Sequence, residues 1–157
     1  TFSPASLFLI CLLMFVGASP TGTGGGLKST TVAILFKKMI STFRKENTVV
    51  LSHTEIPVQR VDQAMSSVVF YLTIFYAAVF ALLYTEKQPF IALFFEAASA
   101  IGTVGLSTGI TAALSDIGKC ILILLMFIGR ITPLAVGIIL FNKFHYSKVT
   151  KKEDISI

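Results

Sequence analysis

The sequence predicts an all-α membrane protein, and three observations carry that prediction. Hydrophobic residues fill 54% of the 157 positions and charged residues only 13%, against about 25% charged in ordinary soluble domains. The charges, 13 Lys and Arg against 8 Asp and Glu for a net +5, gather in a few polar stretches. Between them lie almost uncharged runs of 12 to 22 residues, lengths that enter or cross a hydrocarbon core about 30 Å thick. No soluble domain is legible. Cys11 and Cys120 both sit in apolar runs, 109 positions apart, so a disulfide scaffold has no support. The first residue is Thr1, and no basic segment with a small-residue cleavage site precedes the first apolar run, which is therefore not read as a signal peptide. The chain reads as a piece of a longer one.

Residues 6–18 form an apolar stretch of 13, roughly 20 Å of helix and too short to span. Pro20 and four glycines between 19 and 31 interrupt it, and apolar residues 32–36 resume before Lys37 and Lys38 mark an interface. The pattern is a broken transmembrane helix. Irregular backbone survives at membrane depth only where it faces protein or water, so the glycine stretch is expected to line a cavity. Residues 37–62 are polar and basic, a loop with one short amphipathic piece. Residues 64–85 supply 22 uncharged positions, about 33 Å of helix and long enough to span. After Glu86, Lys87 and the helix-starting Pro89, residues 90–101 are only 12 long and carry Glu96, which predicts a re-entrant or interfacial helix. The loop 102–116 returns the chain. Residues 120–141 span again, interrupted by Arg130 and Pro133, before a polar tail at 142–157. Five basic residues in the 37–62 loop and four in the tail, against two in 86–119, put the cytoplasm on the side of loop and tail and the N-terminus outside. Tyr84 and Tyr146 are the expected interfacial anchors.

The order span, short helix, Thr-Val-Gly loop, span reproduces the pore module of potassium channels, in which backbone carbonyls replace a cation's water shell. Successive carbonyls of Thr103, Val104 and Gly105, continuing to Leu106, are positioned to do this, and Gly105 has no Cβ to obstruct the backbone. The carbonyl end of the 90–101 helix adds partial negative charge. The triplet alone is equally compatible with a tight turn between helices.

Three segments together, GASPTGTGGGLKSTT, FFEAASAIGTVGLSTGIT and LSDIGKCILILLMFIGRITPL, resemble the membrane subunit of the Trk/Ktr/HKT superfamily of potassium transporters, nearest to its Ktr branch. The resemblance covers nearly the whole chain. It implies four linked helix, pore loop, helix repeats around one pore, each filter resting on a central glycine, here Gly105. It further implies that residues 1–44 are the second helix of the third repeat with an intramembrane gating loop at 17–31. Residues 45–62 are then a cytoplasmic loop, 63–141 the fourth repeat and 142–157 a cytoplasmic tail. The gate implied includes Gly22, Gly24, Gly25, Gly26 and Lys28, faced by the buried arginine of the fourth repeat, whose place Arg130 takes. The function implied is potassium uptake without bond chemistry, with no cofactor and no metal site beyond potassium on the filter carbonyls. Implied partners are the other repeats of the subunit, a second subunit in a homodimer and a cytosolic nucleotide-binding regulatory ring. One module offers a quarter of the coordination shell, so this chain alone is not expected to conduct. Sodium passage, or a non-conducting assembly subunit of the same shape, stand as alternatives.

Other residues keep two readings. A charge in mid-span is costly and needs acceptors, so Arg130 is either a barrier at the gate or a hydrogen-bond clamp between repeats. Lys28 is a cation bonding freed carbonyls or a snorkelling interfacial lysine. The string GTGGGLKS fails as a phosphate-binding loop because Leu27 stands where its second glycine is required. Glu96 either attracts incoming cations or holds backbone amides behind the filter. Glu86 and Asp116 read as exposed loop acids. His53 and His145 have no ligands at metal spacing, no nucleophile has a paired base, and the basic residues are too few and too separate from aromatics for nucleic acid. The basic loop and tail suit anionic lipid or a partner protein.

Overall fold

The computed structural model describes residues 3–17, 24–45, 50–51 and 54–131. Gly22, His53, Pro133 and the tail with Tyr146 and His145 lie outside the described residues. The described chain is mostly helical.

Helix α1 runs Pro4–Phe15. Ser3 caps it by accepting the Ser6 N–H at 3.2 Å, and Pro4 occupies a first-turn position whose missing N–H costs nothing. The helix stops well short of a bilayer's width, and α2 begins only at Ser29, continuing to Phe43. The described residues between them, 16–17 and 24–28, belong to no helix. Helix α2 also passes through Lys37 and Lys38 without interruption, so the interface expected there is not a helix end: lysines keep good helix propensity and project sideways. Within the expected loop, two short strands, β1 (Val50–Leu51) and β2 (Thr54–Glu55), pair antiparallel, Val50 opposite Glu55. They are the only strands among the described residues.

Helix α3 spans Val58–Thr85, 28 residues or about 42 Å, and among the described residues it alone is both long and apolar enough to cross a membrane. It starts earlier than its apolar run, taking in Arg60 and Asp62. Helix α4, Phe90–Gly102, is short, and every residue from Phe95 to Gly102 is buried. It packs between α1, α3 and α5. Ala97, Ala98, Ser99, Ala100 and Gly102 let those neighbours come close. Above them Phe75 of α3 meets Phe15 and Phe94 edge to face, with centroids 4.8 and 5.0 Å apart, the preferred aromatic geometry. Helix α5, Asp116–Arg130, starts at the cap Ser115, whose hydroxyl accepts the Gly118 N–H. It ends with Ile131 already extended (φ −77°, ψ 125°). Pro133 explains the stop, since its ring forbids helix in the preceding residues.

Candidate functional site

The site is assembled where three chain ends meet: the C-terminus of α4, the glycine stretch between α1 and α2, and the C-terminus of α5. At the first, Thr103 turns left-handed (φ 52°, ψ 39°). Its N–H bonds back to the Ala100 carbonyl at 3.1 Å and the Val104 N–H to the Ser99 carbonyl at 3.0 Å, the paired bonds of a Schellman ending. A β-branched residue in this conformation is a backbone outlier that its surroundings must hold in place. Two of the terminal carbonyls of α4 are thereby used internally, so its negative end is partly satisfied by the chain itself. Beyond it residues 104–108 belong to no helix or strand, and Val104, Gly105, Leu106 and Ser107 are exposed. Gly105 has φ +83° and no atom within 4 Å of where a Cβ would stand. Its glycine is required by backbone conformation and not by crowding.

The glycine stretch is stapled at its base. The Gly17 N–H donates to the Leu27 carbonyl at 2.8 Å and the Leu27 N–H to the Phe15 carbonyl at 3.3 Å, a parallel bridge between Val16 and Leu27. Gly25 and Gly26, beside that staple, reach the other two helix ends. The Gly25 N–H donates to the Thr103 hydroxyl at 2.6 Å, and the Gly26 N–H to the Gly129 carbonyl at 3.4 Å. That carbonyl has no helical donor four residues on, because residue 133 is proline and has no N–H. Gly129 itself lies against the Ile101 carbonyl of α4, where any Cβ would collide.

Between these ends opens a pocket of about 490 Å³, walled by Met14, Gly24 and Gly25 on one side and by Gly102, Thr103, Val104 and Leu106 on the other. Two distant irregular segments, with apolar side chains such as Met14 and Val104 beside their glycines, thus line one space, and irregular chain at membrane depth needs protein or water beside it.

Of the residues picked from sequence, Thr103, Val104 and Leu106 line this pocket with Gly24 and Gly25. Gly26 lies buried beside them and Gly105 extends from them. Lys28 caps the start of α2, half-buried. Arg130 is the last residue of α5 and its side chain is exposed, while the hydrogen bond from the glycine loop goes to the carbonyl next to it. Sequence reading passed over Gly129, and it did not single out Gly17 within the 17–31 loop. Glu86, taken for an exposed loop acid, is half-buried and accepts from the Ser115 N–H at 3.2 Å and from its hydroxyl. It ties the end of α3 to the start of α5, a link between residues 29 apart in sequence that no local pattern announces. Asp116 remains fully exposed, 3.9 Å from Lys119. Among the described residues no group of three metal-ligating side chains exists.

Helical and apolar, with a pocket lined by two distant irregular segments, the chain has the make-up of a membrane transport protein. It belongs to the TrkH family, described as "Cation transport protein", which matches residues 1–151. It is 37% identical over 151 residues to the Ktr system potassium uptake protein D of Bacillus subtilis, covering 93% of this chain and 34% of that one. Ktr system potassium uptake protein B of the same organism is 42% identical over 123 residues, 78% of this chain and 28% of that one. The Potassium/sodium uptake protein NtpJ of Enterococcus hirae is 35% identical over 156 residues, 96% of this chain and 34% of that one. The chain spans about a third of the length of these curated relatives.

Proposed function

We propose that this chain is part of the pore of a potassium-uptake transporter. Residues 1–44 are the broken second helix of a third repeat, with its gating loop at 17–31, and 63–141 a complete fourth repeat. Residues 45–62 and 142–157 face the cytoplasm. The observation that carries the reading is the shared pocket, with Thr103, Val104 and Leu106 on one wall and Gly24 and Gly25 on the other.

A cation arriving from outside sheds water onto the carbonyls of Thr103, Val104, Gly105 and Leu106, which supply one quarter of the shell, the other repeats supplying the rest. Below lies the glycine loop, held up by its bonds to Thr103 and Gly129 and backed by the charge of Arg130. Transport follows the electrochemical gradient and breaks no covalent bond. Potassium uptake is the activity in the names of the two Bacillus subtilis relatives, which supports potassium as the cargo. Those names also speak of a Ktr system, which supports an assembly of several components; a homodimer on a cytosolic nucleotide-binding ring is our reading of it. The exposed Lys37, Arg44 and Lys45 near the end of α2 are where that ring or anionic lipid would make contact.

The test is Gly105→Ala in the intact transporter. An L-residue at φ +83° costs about 1 kcal/mol or more, so the loop shifts and potassium uptake falls relative to sodium uptake. Unchanged discrimination with normal membrane abundance refutes the filter assignment. A second reading, sodium as co-substrate or alternative cargo, is favoured by the likeness to the Potassium/sodium uptake protein NtpJ, and sodium-dependent potassium uptake in the same vesicles decides it.

A further inference from the structure

Glu96 is 4% exposed on an otherwise apolar helix, and the ion path described above does not use it. Its carboxylate is fully engaged on the strand that leaves the proposed filter. Oε1 accepts from the Ser107 hydroxyl at 2.7 Å, the Thr108 N–H at 2.8 Å and the Thr108 hydroxyl at 3.1 Å, and Oε2 accepts from the Thr111 hydroxyl at 2.9 Å. Ser107 in turn accepts the Gly109 N–H at 2.9 Å. All these donors are neutral. Four charge-assisted bonds therefore replace the water a buried carboxylate would otherwise demand. They run between residues 11 to 15 apart in sequence, so they close the loop from α4 back onto α4. The loop's other end is held by the Schellman turn at Thr103. The residues between, Val104 to Leu106, are exposed, and Gly105 touches nothing within 4 Å of its missing Cβ. Within this chain the two anchors bracket them on either side.

We infer that Glu96 is a positioning residue for ion selection: by clamping Ser107, Thr108 and Thr111 it sets the spacing of the carbonyls at 103–106 and hence which alkali cation they fit. The inference rests on the filter assignment proposed above. It also explains the hydroxyl-rich run after the triplet, since each of Ser107, Thr108 and Thr111 supplies a donor to one acid. A carboxylate accepts at both oxygens, so length and acceptor capacity both matter. Glutamine keeps the length and one acceptor oxygen, with its amide facing a Thr111 hydroxyl able to turn and accept. Aspartate keeps the charge and withdraws it by one methylene.

The experiment uses the intact transporter in membrane vesicles and compares relative uptake rates of sodium, potassium, rubidium and caesium. Variants are E96Q, E96D and E96A, with membrane abundance and thermal stability in detergent measured alongside. We expect the relative rates to change by about tenfold in E96D and E96A, as lost bonds to a charged group imply, with E96Q largely restoring the original pattern. Relative rates in E96D and E96A within twofold of the unmodified transporter, at normal abundance, overturn the inference. So does an E96D that loses rate equally for all four cations. Should E96A fail to accumulate, Thr108→Val and Thr111→Val each remove a hydroxyl donor and leave the acid, and the same criterion applies to them. The Gly105→Ala variant separates the two proposals: if it leaves the pattern unchanged the filter assignment fails, whereas a changed pattern there with an unchanged one in E96D sinks only the role of Glu96.

Discussion

Thr103 does two jobs with one residue. Its backbone ends α4 in a left-handed turn, and its hydroxyl accepts the Gly25 N–H from 78 positions away. Valine has the same shape without the acceptor, so Thr103→Val leaves a half-buried amide unpaired. A loss of about 1–3 kcal/mol is expected, read as a lower melting temperature in detergent. Thr103→Ser keeps the hydroxyl and should stay close to the parent. If the glycine loop is a gate, Thr103→Val also loosens it and raises potassium flux per molecule. Arg130 belongs to the same argument. Its side chain is exposed at the end of α5, beside the one carbonyl that holds Gly26. Arg130→Ala in the intact transporter should raise turnover if its charge bars the path, and leave turnover unchanged if it serves as a clamp.

At the level of elements, α4 is the piece around which the others are arranged. It is too short to span, yet it is the most buried helix described, and its small residues allow α1, α3 and α5 to close on it. The tightest approach is Gly129 of α5 against the Ile101 carbonyl. Both partners are backbone, which cannot turn aside as a side chain can. Gly129→Ala must therefore push α5 away from α4, breaking the Gly26 bond as it does so. We expect a loss of about 3 kcal/mol, the upper end for overpacking, seen as poor membrane accumulation, together with loss of uptake. Wild-type stability would mean that α4 and α5 are not in contact there. The element pattern was legible in the sequence for α3 and α4, because run length and hydropathy alone separate a spanning helix from a short one. It was less legible for α2 and α5. The interface read at Lys37 and Lys38 falls inside an unbroken α2, and the interruption read at Arg130 and Pro133 falls where the described helix α5 ends.

For the whole molecule, the described helices leave large apolar side chains exposed, among them Phe80 and Tyr84 of α3 and Ile123, Leu124 and Phe127 of α5. A membrane or further protein must cover them. The chain matches only about a third of its relatives' length, and in the proposed pore one loop offers carbonyls on one side of an ion. The fragment alone, reconstituted in potassium-loaded liposomes, should therefore give no selective potassium flux above empty vesicles. Robust selective flux would overturn the four-repeat reading of the pore.

By itself the sequence pointed to an apolar, helical membrane chain with two spanning runs at 64–85 and 120–141, one short helix carrying a lone acid, and a glycine-rich break. Those properties are local and additive, fixed by run length, charge placement and the backbone demands of glycine and proline. Only the tertiary structure decided what each irregular segment touches: Gly25 on Thr103, Gly26 on Gly129, Glu86 on Ser115, and Glu96 on three hydroxyls at once. Hydrogen bonds between distant segments depend on how helices dock, and a sequence records the donors and acceptors without recording which of them will meet.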